Sequence, residues 1–76
     1  MKLPNKLFSY RESIISKFPI ILNALEQEKH LTIYELYINV INKFEDIAEF
    51  LEAVECLYAL GKIEYSYEMR RVYYAI

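Results

Sequence analysis

The chain has one glycine, one cysteine, one histidine, two prolines and no tryptophan in 76 residues. Each scarcity closes a set of options. A single glycine, Gly61, leaves no glycine-rich loop to cradle a nucleotide phosphate, because such a loop needs several residues without side chains. A single cysteine, Cys56, forbids an intramolecular disulfide and gives no sign of an oxidising compartment. The lone His30 has no second histidine or cysteine at ligand spacing, so no metal centre and no cofactor is expected. With 55% hydrophobic and 26% charged residues the chain is too apolar for a disordered tail or linker. No apolar run approaches the ~20 residues that span a bilayer, and residues 1–10 lack the apolar stretch of a signal peptide. One small, soluble, cytoplasmic domain with a single core is the expectation.

What is present is aromatic and slightly acidic. Eight tyrosines and four phenylalanines are many for this length. A tyrosine buries its ring while its hydroxyl seeks water or a partner, which places some of them at a boundary or an interface. The formal net charge of −2 argues mildly against a general nucleic-acid binder.

Taken in order, residues 1–8 read as an extended arm, because Pro4 disfavours helix at Leu3. The arm either packs loosely on the domain or inserts into a partner. Ser9 with Glu12 forms a capping-box pattern and predicts a first helix over 10–28. Ile14, Ile15, Phe18, Ile21, Leu22 and Leu25 then share one face, and the phase runs unbroken through Pro19. One helix kinked at Pro19 is expected; the alternative is a break at Phe18 with Pro19 opening a new helix. Lys29, His30 and Leu31 allow no more than one β-bridge. Thr32 with Glu35 opens a second helix over 33–44, with a core stripe of Ile33, Leu36, Tyr37, Val40 and Phe44. Tyr34 and Ile38 fall beside that stripe and make the helix apolar over a wider arc than a lone domain needs.

Asp46 with Glu49 opens a third helix over 46–60. Its apolar arc of about 120° holds Ile47, Phe50, Leu51, Val54, Leu57 and Tyr58. Glu49, Glu52, Glu55 and Cys56 are expected on the outer arc. Gly61 sits where a helix C-cap turns left-handed. After it, Ile63 and Tyr65, and then Val72, Tyr74 and Ile76, alternate with polar or outward residues, which predicts a wing hairpin over 62–76. The turn 67–70 lacks the glycine or asparagine of a tight primed turn. The order is that of a winged helix-turn-helix: mainly α, three helices, with a two- or three-stranded β wing.

In that fold the third helix is the one that enters a DNA major groove. Here no lysine or arginine lies between Phe44 and Gly61. Glu45, Asp46, Glu49, Glu52, Glu55 and Glu64 face a duplex with Lys62 alone to offset them. No arginine, lysine, asparagine or glutamine faces out from that helix to pair with base edges. DNA contact would fall to the wing cations Lys62, Arg70 and Arg71, which keeps a winged-helix transcriptional regulator as the alternative function. Cys56 lies among glutamates, which oppose a thiolate nucleophile, and reads as a small filler at a contact. With neither nucleophile and base nor tuned carboxylates, the chain does not read as an enzyme. The acidic row is either an ordinary solvated face or a docking face for a basic surface. Tyr34, Ile38, Ile20, Tyr67 and Tyr73 are either scattered surface residues or the apolar centre of a protein contact, and the contact is favoured because several share one small domain. The expected partner-binding set is therefore Tyr34, Ile38, Glu49, Glu52, Glu55, Tyr67 and Tyr73. A third option is an inhibitor that mimics DNA with its acidic face.

The opening MKLPNKLFSYRESI and the block FEDIAEFLEAVECLYALGKIEYS resemble the small middle components of bacterial ABC-three-component systems. The pattern Phe50, Leu57, Leu60, Gly61, Lys62, Ile63 also suits many winged helices, so the shared motifs are mainly structural. In those systems a short winged-helix protein is encoded between an SMC-like ABC ATPase and a third, often effector-like component. The resemblance implies an adaptor that docks on the ATPase or the third component, in bacterial defence or mobile-element conflict. It carries over no catalytic residues. Fold-level analogy with winged-helix subunits of SMC complexes also allows a homodimer.

Overall fold

The computed structural model describes residues 3–75, with side chains from Ser9 to Ala75. Four helices and three short strands follow in order: α1 (Leu3–Ser16), α2 (Phe18–Glu28), β1 (His30–Leu31), α3 (Ile33–Val40), α4 (Ile47–Ala59), β2 (Ile63–Ser66) and β3 (Arg71–Tyr74). A 3-10 turn, Ile41–Lys43, joins α3 to α4. The strands form one antiparallel sheet in the order β1-β3-β2. This mainly helical fold with a three-stranded wing has the element order of a winged helix.

The first stretch differs from expectation twice. Residues 3–8 are helical, not an extended arm, and α1 starts well before Tyr10. Pro4 falls in the first turn, where a missing N–H costs nothing because the first four amides have no partner in the helix. Ser9 and Glu12 therefore lie within the helix and do not begin it. The second difference is a break at Lys17 in place of one helix kinked at Pro19. Lys17 donates to Ile14 O at 3.0 Å, a 3-10 contact, and its own carbonyl accepts from Ile20 N at 3.1 Å. Pro19 has no N–H to continue the α1 ladder, and it sits within the first two positions of α2, where proline is tolerated. The apolar phase passes through the break because a single residue separates the two helices.

The other punctuation follows local chemistry. Thr32 closes a full capping box on α3: Glu35 N donates to Thr32 Oγ1 at 3.0 Å, and Thr32 N donates to Glu35 Oε1 at 3.1 Å. At the end of α4, Gly61 has φ +76°. Gly61 N donates to Tyr58 O at 3.0 Å and Lys62 N to Leu57 O at 2.9 Å, the paired bonds of a Schellman motif. The wing register pairs Ile63 with Tyr74 and Tyr65 with Val72, so Ile63 and Val72 face inward. Its 67–70 turn closes without glycine, with Arg70 in the left-handed region at φ 59° and donating to Ser66 O. On the other edge β1 pairs His30 with Tyr73 and Leu31 with Val72.

The core is built around Phe50, which is fully buried with Ile21, Leu25, Leu36, Leu57, Ile63 and Val72 close to full burial. Its ring meets Tyr37 at 4.9 Å and Phe44 edge-on at 5.5 Å. Three expected core members of α4, Ile47, Leu51 and Tyr58, are instead exposed, and so is Ile15 of α1. Ala53, whose small side chain permits a close approach, is fully buried. The expected core residue Ile76 lies outside the described residues.

Candidate interaction surface

The three glutamates of α4 do not form one row. Successive residues in a helix turn by about 100°, so a spacing of three falls about 60° short of a full turn. Glu49, Glu52 and Glu55 accordingly fan out over about 120° and meet three different environments.

Glu49 turns inward. It is 6% exposed, against the expectation of an outward acid. Asp46 caps the helix by accepting from Glu49 N at 2.9 Å, which fixes the first turn. The Glu49 carboxylate then accepts from Glu45 N at 2.8 Å, Lys17 Nζ at 2.9 Å and Ser13 Oγ at 2.9 Å. Burial alone would raise its pKa, but these donors outweigh that and hold it below the ordinary glutamate value. Lys17 also lies over the Phe44 ring at 4.9 Å. The carboxylate thus ties the α1–α2 junction to the start of α4. Lys17 and Ser13 were not read as site residues from the sequence; the Asp46–Glu49 capping pattern was the one local hint.

Glu52 borders the cleft between α1 and α4 with Tyr10, Arg11 and Cys56. Burial, and then the charges of Glu52, Asp46 and Glu49, raise the Tyr10 hydroxyl above its ordinary value. Cys56, expected on the outer arc, is half-buried in that cleft and free. Glu55 points to the other flank and lines a furrow between α4 and the wing, with Val54, Tyr58, Tyr65, Tyr67 and Glu64.

The expected apolar residues are likewise distributed. Tyr34 (73% exposed) and Ile38 share a shallow surface with Leu31 on α3. Tyr67 (80% exposed) stands at the wing tip, its ring edge-on to Tyr65 at 5.0 Å. Tyr73 donates from its hydroxyl to Glu64 Oε1 at 3.2 Å, and that carboxylate raises the Tyr73 pKa. Ile20 is half-buried against the core. The structure brings Tyr67 and Glu55 to one furrow and keeps Tyr34 with Ile38 apart from them. Missing from the expected set are Ile47, Leu51 and Tyr58, the open part of the α4 apolar arc.

Of the wing cations, Lys62 and Arg70 are exposed. Arg71 is engaged: its Nη1 donates to Glu35 Oε1 at 3.3 Å and lies 3.5 Å from His30 Nδ1. Glu35 is held below its ordinary pKa, first by the Thr32 N–H and also by Arg71. Among the described residues no group of three histidines, cysteines or carboxylates is placed to hold a metal. None of the described helices is long and apolar enough to cross a membrane.

Comparison with curated proteins and with solved structures gives no match to either. A family model does match, over residues 3–72, and so spans every helix and most of the wing. The chain belongs to the family described as ABC-three component (ABC-3C) system Middle Component 7.

Proposed function

We propose that the chain is a non-catalytic adaptor, a protein-docking subunit that binds the ABC ATPase or the third component of its system, in bacterial defence or mobile-element conflict. The observation that carries this reading is α4 itself. In the position where a DNA-reading helix carries cations, α4 has none, and it leaves Ile47, Leu51 and Tyr58 exposed beside Glu55. Exposed apolar side chains on one flank of a small domain favour protein contact, and acids at their edge orient it. Glu52 and Glu55 stay in the docking set with Tyr67; Glu49 leaves it, because its carboxylate is occupied within the fold. Tyr34 with Ile38, and Tyr73 on the outer sheet face, remain candidates for a second contact, whether with the third component or with a second copy.

The test is co-expression with the ATPase and third component encoded beside it. Wild-type chain should co-purify with at least one of them, and Leu51→Glu or Tyr58→Glu should reduce the yield of complex. Absence of both from the wild-type eluate would overturn the adaptor reading. The exposed Lys62 and Arg70 favour a second reading, contact with a DNA backbone through the wing. Duplex binding that weakens steeply with salt and disappears in Lys62→Glu/Arg70→Glu would replace the first reading with this one.

A further inference from the structure

We infer that the furrow between α4 and the wing seats an amphipathic helical segment of a protein partner, its apolar side chains flanked by lysine or arginine. This rests on the adaptor reading and names the chemistry of what the adaptor holds. Ile47, Leu51, Val54 and Tyr58 follow one another at intervals of four, three and four residues, which sets one side chain per turn along a line. The line is about 16 Å long, enough for three turns of a helix laid beside it. Val54 is half-buried and the other three are exposed, at 52% for Ile47, 44% for Leu51 and 55% for Tyr58.

The line runs into the furrow, whose floor is apolar, with Ile33, Ile63, Tyr65 and Val72 beneath Val54 and Tyr58. Its volume of about 260 Å³ lies below the usual range for small-molecule sites and suits one or two inserted side chains. The charge around it has one sign. Among the described residues the free charge in its lining is that of Glu55, because the Glu64 carboxylate accepts from the Tyr73 hydroxyl on the outer sheet face, and α4 has no lysine or arginine along its length. Lys62 and Arg70 do not line it, and Arg71 is held by Glu35 on the β1 side. An apolar floor with an acid at its edge and no cation in its lining favours an apolar helix face edged with cations. It rejects an acidic segment and a phosphate backbone by like-charge repulsion.

The experiment titrates the full ¹⁵N-labelled chain with three synthetic peptides of equal length. One has leucines at helical spacing with lysines between them, the second replaces the lysines by glutamates, and the third scrambles the first. Amide shifts should appear in α4 and β2 with the first peptide alone. Binding should weaken on the order of tenfold or more in Tyr58→Glu and in Glu55→Lys, a loss of about 1.4 kcal/mol. Those side chains are exposed, and circular dichroism checks that each variant stays folded. Equal binding of the glutamate or scrambled peptide, shifts confined to the α1–α4 cleft, or no binding would overturn the inference. Furrow shifts that grow with protein concentration alone would assign it to a second copy, and furrow shifts with duplex DNA would assign it to nucleic acid; either overturns it. Co-purification separates the two readings. An ATPase or third component retained equally by wild type and Tyr58→Glu would sink the furrow and leave the adaptor standing. Failure of wild type to retain either would sink the adaptor, and the titration would still decide the furrow.

Discussion

The two flanks of α4 treat the same residue types in opposite ways. Toward the α1–α2 junction Glu49 is buried together with Ala53; toward the wing Glu55 is exposed and Ile47, Leu51 and Tyr58 stay open. The first flank breaks the usual rule for charges and meets its cost with three donors on one carboxylate. The second breaks the usual rule for apolar side chains, and among the described residues nothing covers them. A buried charge that is fully partnered is structural, whereas an open apolar line is the surface that the proposed docking would cover.

The sharpest way to break this contrast is a pair of equal truncations. Leu57→Ala, on the buried flank, should cost about 2–5 kcal/mol by urea unfolding. Leu51→Ala, six residues earlier on the open flank, should stay within about 0.5 kcal/mol of wild type. Similar losses at the two positions would mean that the open line is covered within the chain. Next in size is the charged pair of positions. Glu49→Ala should cost about 1.5–3 kcal/mol, since it strands Lys17 and leaves Ser13 and Glu45 N–H without their acceptor. Lys17, partly exposed, can rehydrate and keeps the loss from being larger. Glu55→Ala should be neutral within about 0.5 kcal/mol. A neutral Glu49→Ala would show that the junction does not depend on its carboxylate.

A smaller effect marks where the two flanks end. Gly61 stops α4 and turns the chain into β2, and a Cβ there would meet nothing within 4 Å. Gly61→Ala should therefore cost only the left-handed backbone term, about 1–2 kcal/mol, as read from thermal and urea unfolding. A larger loss would point to a packing role that the geometry does not contain.

How much of this was legible follows from how local each signal is. The Thr32–Glu35 capping box and Gly61 act over three or four residues, and both read correctly from the chain. The strand alternation at Ile63, Tyr65 and Val72 is equally local. The same kind of signal misled at Ser9 and Glu12, because a capping pattern does not exclude a helix that has already begun upstream. The break at Lys17 was hidden because Lys17 stays in the right-handed helical region, at φ −91° and ψ −7°, and barely disturbs the phase of Ile14, Ile21 and Leu25. The apolar arc of α4 was visible, but which half meets the core depends on what α1 and α2 present to it. Glu49 shows this most plainly: its partners Ser13 and Lys17 lie 36 and 32 positions away, beyond the reach of any periodic pattern. The site was therefore half legible, in its acidity and apolar surplus, while the assignment of each acid to a flank required the fold.

The smallest and most specific effect is the acid dependence of Glu49. Its carboxyl is held below the ordinary glutamate value in the folded chain, so the folded state favours the ionised form more than the unfolded chain does. That contribution is fully present above the unfolded value of about 4.3, and it is lost as pH falls from there through the lower folded value. Glu35 is shifted in the same direction, so acid loss in wild type alone cannot be assigned to Glu49. Comparison of wild type with Glu49→Gln removes that ambiguity, because Glu35 is present in both. Urea midpoints at neutral pH should place Glu49→Gln below wild type, with the gap narrowing as pH falls below about 4.3. A Glu49→Gln gap that stays constant on acidification would mean that the buried carboxylate is not held ionised, and the contrast between the flanks would reduce to one of packing alone.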